Sequence, residues 1–264
     1  MPKWNNELLL STDSLAWYGL DLIFEMAKKA WFDGIDLATW KNFDAWNIDY
    51  VKKISDENEL PVRVIQTSPK INAKELNLAL DLCEATGADT ICINPPKLME
   101  FGAYNFINDN LDEYKKQNPN INFSIINPED SNLLALPIPK YRFSNIVEII
   151  KKYGCYLWLD VSNFDEEALE IELTRKLSQF IPYISVVYLS DKTKLGKGHV
   201  LPWEWVLKLT KLLKNLKKNK YSRYFSLKVE IEKVDLADNE KVMIMLKKSK
   251  EYYKEHFQDI DVTK

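Results

Sequence analysis

A short β-rich run followed by a stretch with apolar residues on one helical face occurs eight times along this chain. The runs fall at Leu8 to Thr12, Gly34 to Thr39, Val62 to Thr67, Thr90 to Asn94, Ile121 to Asn127, Tyr156 to Ser162, Ile184 to Ser190 and Phe225 to Glu232. Between them lie amphipathic segments such as Leu22, Ile23, Met26, Ala27 and Ala30 in the first, and Val206, Leu209, Leu213 and Leu216 in the seventh. A last helix is expected over Asn239 to Tyr253. Strands alternating with helices imply a parallel sheet, and eight such units imply closure into a barrel. The expected fold is therefore α/β, a single (β/α)8 TIM barrel spanning residues 1–264. That length suits one barrel of roughly 250 residues and leaves no segment that reads as a linker or second domain.

Gly34, Gly87 and Gly154 stand before the second, fourth and sixth strands, where a left-handed residue would end the preceding helix. Helix-to-strand joins are short, whereas the strand-to-helix joins Pro95 to Asn108, Pro128 to Ser144 and Asp191 to Pro202 are long. Barrel sites are built where strands end, so long loops on that side predict a roofed pocket there.

Composition narrows the chemistry. A net charge of −3 and the lack of a basic field speak against nucleic acid as a partner, and no apolar stretch approaches the roughly 18 residues of a membrane span. No charged segment leads into an apolar one at the start, so a cytoplasmic location is expected. Cys83, Cys92 and Cys155 are odd in number and lack any C-x-x-C, against a disulfide framework or a cysteine zinc site. Only His199 and His256 exist, which removes every histidine-rich metal centre.

The strand ends carry a series of short motifs that occur together in one family of barrels. Trp31-Phe32-Asp33-Gly34-Ile35-Asp36-Leu37 resembles G-F-D-G-I-E-L at strand two, and Gly87-Ala88-Asp89-Thr90 with Asn94-Pro95 resembles G-A-D-x and H-P at strand four. Ile125-Ile126-Asn127-Pro128 is similar to E-N-P, Leu159-Asp160-Val161-Ser162-Asn163 to L-D-x-x-H, and Tyr188-Leu189-Ser190-Asp191 to H-L-K-D. Leu195-Gly196-Lys197-Gly198 followed by Trp203 resembles L-G-x-G, and Val229-Glu230-Ile231 the closing glutamate of strand eight. In this order the motifs resemble those of the xylose isomerase-like TIM barrels, a superfamily of sugar and sugar-phosphate isomerases and epimerases that also includes apurinic endonucleases.

The resemblance implies a divalent metal held at places occupied here by Ile126, Asp160, Tyr188 and Glu230. Two of the four implied ligands are thus replaced, and Asn94 and Asn163 stand where histidines are expected. Asparagine can bond a hydroxyl but is a poor substitute for a histidine ligand or proton shuttle. No cofactor is expected, and Asp160 with Glu230 would hold at most a weak Mg or Mn ion, the other reading being a hydrogen-bonded carboxylate pair. Glu129 and Asp130 offer a displaced carboxylate or a solvated loop start.

Asp160, Glu230 and Lys228 are the catalytic candidates. Alternation places Lys228 and Glu230 on one face of strand eight, either as a structural ion pair or with the lysine as a Schiff-base nucleophile. Asn94, Asn127, Asn163, Tyr188, Asp191, Trp40 and His199 are the substrate-binding candidates. Trp40, Trp46 and Tyr188 suit an aromatic wall for a sugar face, or packing. His199 lies in the long loop after strand seven, to close over a ligand or to stand exposed. The lysines of Lys211 to Lys220 read as a solvated helix end. The resemblance implies a degenerate sugar or sugar-phosphate isomerase or epimerase acting by proton transfer next to a carbonyl, with a polyol or sugar phosphate as partner. The alternative is a non-catalytic binding or structural barrel. A homo-oligomer is compatible with either.

Overall fold

The computed structural model describes residues 6–94, 101–127, 132–133, 136–137, 150–151, 153–164, 175–203 and 207–261. Eight parallel strands close into a barrel: β1 (Glu7–Ser11), β2 (Gly34–Ala38), β3 (Val62–Gln66), β4 (Thr90–Ile93), β5 (Asn122–Ile126), β6 (Tyr156–Asp160), β7 (Ile184–Leu189) and β8 (Tyr224–Leu227). Each strand pairs with its sequence neighbour, and β8 closes on β1 with Leu8 opposite Phe225. The described helices of the outer layer are α1 (Leu20–Lys29), α2 (Ile48–Asn58), α3 (Ala73–Thr86), α4 (Phe101–Gln117), α5 (Arg175–Phe180), α6 (Leu209–Lys218), α7 (Lys233–Leu236) and α8 (Asn239–Tyr253). Among the described residues no helix is long and apolar enough to cross a membrane.

Both strand faces are buried, as a sheet covered by helices requires. Leu8, Leu10, Ile35, Leu37, Ile91 and Ile93 face the helices and belong to the large core. Leu9, Val64, Cys92, Ile126, Trp158 and Tyr188 fill the lumen as a separate cluster. Trp158 and Tyr188 meet edge to face at 4.5 Å, a favourable quadrupole arrangement that blocks the barrel axis. All three cysteines are free and buried.

Three expectations need correction. Gly34 does not end α1, because the left-handed residue there is Trp31 (φ 59°), whose neighbour Phe32 donates to the Ala27 carbonyl. Gly34 is needed instead for close approach, since a Cβ there would lie 2.7 Å from the Pro61 carbonyl oxygen. Gly87 and Gly154 do adopt positive φ. The Pro95 to Asn108 join is shorter than expected because α4 has begun by Phe101, while Pro95 to Glu100, Glu129, Asp130, most of Pro128 to Ser144 and Val206 lie outside the described residues. Strand eight ends at Leu227, not Glu232. The main chain beyond it leaves the ladder, with the Val229 amide donating to Ser14 Oγ at 3.0 Å and the Glu230 amide to the His199 carbonyl at 2.6 Å.

Polar residues just past the strands stitch neighbouring strand ends together. Thr12 Oγ1 accepts from the Ala38 amide, Thr39 donates to the Gln66 carbonyl, and Thr67 donates to the Cys92 carbonyl. Asn94 Nδ2 donates back to the Thr67 carbonyl at 3.1 Å. Asn127 grips β6 twice, donating to the Asp160 carbonyl at 2.9 Å and accepting from the Asp160 amide at 2.6 Å. Buried main-chain groups with no continuing ladder are satisfied this way.

Candidate active site

The C-terminal mouth holds a cavity of about 490 Å³. Asp13, Ser14 and Trp17 line it after β1, Trp40 and Lys41 after β2, Lys197 and His199 after β7, and the segment Lys228 to Glu232 after β8.

Behind His199, which lines the cavity, lies a hydrogen-bonded cluster. Asp160, the last residue of β6, is buried, and its Oδ1 accepts from the Ser162 hydroxyl at 2.8 Å and the Ser162 amide at 3.1 Å. Its Oδ2 lies 3.4 Å from His199 Nε2, while His199 Nδ1 lies 3.3 Å from Ser162 Oγ. The imidazole also stands perpendicular to the Tyr188 ring at 6.3 Å. His199 itself has φ 57°, a left-handed conformation uncommon outside glycine that histidine, asparagine and aspartate adopt more readily than other residues, and its carbonyl is the acceptor that anchors the Glu230 amide.

The floor is cationic. Lys228, with 18% of its side chain exposed, places Nζ 3.4 Å from Asp13 Oδ2 and 4.8 Å from the centroid of the Tyr188 ring. Lys41 reaches the other oxygen of Asp13 at 3.2 Å and lies 4.3 Å over the Trp40 ring. Deeper in the lumen Asp36 accepts from Ser226 Oγ at 2.7 Å, while its Oδ1 is buried without a hydrogen-bond partner among the described residues. Burial pushes the Asp36 carboxyl up to about 7, against the opposing pull of Ser226, Gln66 and Lys228. The Tyr188 hydroxyl is buried and unpartnered among the described residues, and burial drives its pKa far upward, so it stays protonated.

The expected Lys228–Glu230 pair does not form. Glu230 has 64% of its side chain exposed and lies 3.8 Å from Lys197 at the rim. The physical reason is the early end of β8, which takes Glu230 out of the ladder and fastens its amide to the loop carrying His199. Asn94, Asn127 and Asn163 do gather at strand ends, but their amides serve the main chain, Asn163 Nδ2 donating to the Asn127 carbonyl at 2.8 Å. Asp191 is buried, its Oδ1 accepting from the Lys192 amide at 2.7 Å and the Leu207 amide at 2.9 Å. Trp40 lines the cavity, whereas Trp46 gives its indole N–H to the Thr39 carbonyl at 2.9 Å. His199 is neither free nor fully exposed.

The four-ligand arrangement implied by the sequence does not fit these residues. Ile126 is apolar, Tyr188 is protonated, Asp160 is engaged by Ser162 and His199, and Glu230 turns to Lys197. Among the described residues no three His, Cys, Asp or Glu side chains converge as a metal site would need. Asp13 and Lys41 line the cavity, with Ser162 behind His199 and Asp36 buried beneath, and none of the four was among the sequence candidates. Asp13 was detectable as an acid two residues beyond β1, and Ser162 as the hydroxyl following the strand-six aspartate.

No family model matches the chain, and no curated protein matches it. Solved structures do. A xylose isomerase domain protein from Alicyclobacillus acidocaldarius superposes with a TM-score of 0.72 at 14% identity, covering 96% of this chain and 98% of that one. D-allulose 3-epimerase from Methylomonas sp., in complex with D-allulose, gives 0.69 at 13% identity over 97% and 98%. A family 2 AP endonuclease from Brucella melitensis gives 0.65 at 16% identity over 86% and 93%. The chain has the fold of the xylose isomerase-like TIM barrels.

Proposed function

We propose that this protein is a sugar isomerase or epimerase-like barrel that takes a small polyol or sugar phosphate into the mouth cavity and moves a proton next to a carbonyl without a resident metal. The observation that carries this reading is the pairing, in one cavity, of an imidazole oriented by a buried carboxylate with a partly buried ammonium. His199 and Lys228 flank the same Tyr188 ring, so a bound carbonyl compound can lie between them. In this scheme Lys228 donates to the carbonyl oxygen while His199 takes the proton from the adjacent carbon at Nδ1, giving up its long 3.3 Å contact with Ser162 as Nε2 stays on Asp160, and returns that proton to complete the isomerisation. Trp40 offers a face to the apolar side of the ring. Neighbours named as sugar epimerases support the reaction class. Neither nucleic acid nor a membrane belongs to this scheme.

The test is proton exchange. Wild-type protein incubated in D2O with a panel of ketopentoses and ketohexoses should incorporate deuterium at a carbon next to the carbonyl, followed by proton NMR. His199→Asn, chosen because asparagine tolerates the left-handed backbone, should slow exchange about 100-fold or more. A second reading, a non-catalytic binding barrel, is favoured by the asparagines committed to main chain and by Glu230 turned to the rim. Sugars that stabilise the protein yet never exchange deuterium would select it.

A further inference from the structure

Lys228 carries three N–H donors, yet the acceptor it meets is a single carboxylate oxygen of Asp13 at 3.4 Å, already a long contact. Its remaining contact is the Tyr188 ring face, which favours a cation but accepts no full hydrogen bond. Asp13 is moreover shared, because Lys41 holds its other oxygen at 3.2 Å. Among the described residues two ammonium groups therefore share one carboxylate, and the exposed Glu232 of the cavity lining pairs with neither, which leaves a floor where the Lys228 and Asp13 side chains are only 18% and 10% exposed one negative charge short. The nearest deeper acid, Asp36, offers little compensation, since burial raises its carboxyl to about 7. The Asp160–His199 pair across the cavity is engaged with itself, and Glu230 at the open rim is already matched by Lys197. A partly buried charge without its counter-ion is costly, and the cavity beside it is open.

We propose that the β8–β1 floor of the cavity is an oxyanion subsite, in which Lys228 and Lys41 bind the carboxylate or phosphate of an acidic sugar. The inference rests on the sugar-pocket reading for the body of the ligand, and of the polyols and sugar phosphates of that reading it selects the anionic ones and assigns the residues that hold the anion. Of the three Lys228 donors one meets Asp13, one serves the carbonyl oxygen of the proposed reaction and the third meets the anion, while Lys41 closes from the Trp40 side and Asp13 keeps both ammonium groups in place.

Calorimetric titration and thermal unfolding at fixed ionic strength test this with D-gluconate, glucose 6-phosphate, inorganic phosphate and neutral sorbitol. At least one acidic sugar should bind ten-fold or more tighter than sorbitol, and comparison of gluconate with glucose 6-phosphate identifies the preferred anion. Lys228→Met should weaken that binding at least ten-fold, and it should fold because Asp13 keeps Lys41. Lys41→Met gives an independent loss, while Lys53→Met on the outer face of α2 should bind like wild type. Sorbitol binding as tightly as the acids, or acids indifferent to both floor substitutions, overturns the subsite and leaves the sugar pocket standing. Inorganic phosphate binding through Lys228 with no polyol contribution upholds the subsite and removes the sugar reading. Silence from all four probes overturns both.

Discussion

Asp36 is held on the lumen side of β2 by one Ser226 hydroxyl, and its second oxygen meets no hydrogen-bond donor among the described residues. Its carboxyl, raised from 3.8 to about 7 chiefly by burial, binds a proton more tightly in the folded chain than in the unfolded one. The resulting stability is fully present below the unfolded value and is lost as pH rises through the folded one. Urea unfolding at pH 4 and pH 7 should therefore show Asp36→Asn removing a pH-dependent loss on the order of 2–4 kcal/mol, with the variant relatively more stable at pH 7. An unchanged pH slope would refute the protonated lumen carboxyl. The same residue shows where sequence reading stopped. Asp36 was visible inside the strand-two motif, but its burial against Ser226 depends on closure of the whole barrel. The alternation from Ser226 that put Lys228 and Glu230 on one inward face holds for Lys228 but fails for Glu230, because the strand ends at Leu227. The partner of Lys228 was not legible, since Asp13 comes from the opposite end of the chain and reaches Lys228 only because β8 closes on β1.

The elements were legible in order and type because alternating and helical hydrophobic patterns each declare one buried face. The last helix, Asn239–Tyr253, lies where its pattern put it, and most strands differ by a residue or two at their ends. What the pattern does not carry is the task of a polar residue just past a strand. Asparagine and threonine there have the chemistry of ligand contacts, yet the same groups satisfy main-chain donors and acceptors that the ladder no longer pairs. Asn127 gives a direct test, since its amide makes two bonds to the Asp160 main chain. Asn127→Ala should destabilise the fold by about 2 kcal/mol or more in chemical denaturation, from two buried main-chain groups left unmatched. A variant of wild-type stability with weakened ligand binding would instead assign Asn127 to the cavity.

At the scale of the whole molecule, closure of eight parallel strands brings the ends of β1, β2, β7 and β8 around one opening, although their residues are far apart in sequence. Because Ile126, a protonated Tyr188 and an outward Glu230 stand where ligands would be needed, 1 mM MnCl2 should move the melting temperature by no more than about 1 °C. EDTA should leave it unchanged. A rise of several degrees in a thermal scan would demonstrate a tight cation site and reverse this view. Beneath that opening the lumen is filled by Trp158, Tyr188 and their apolar neighbours, all buried. Among the described residues the barrel is thus a cup, filled below and open at its C-terminal mouth. Under the proposed reaction, reactant and product would share that passage, so a turnover would end only when the doorway clears, and a second molecule lodged at the rim would trap the first inside.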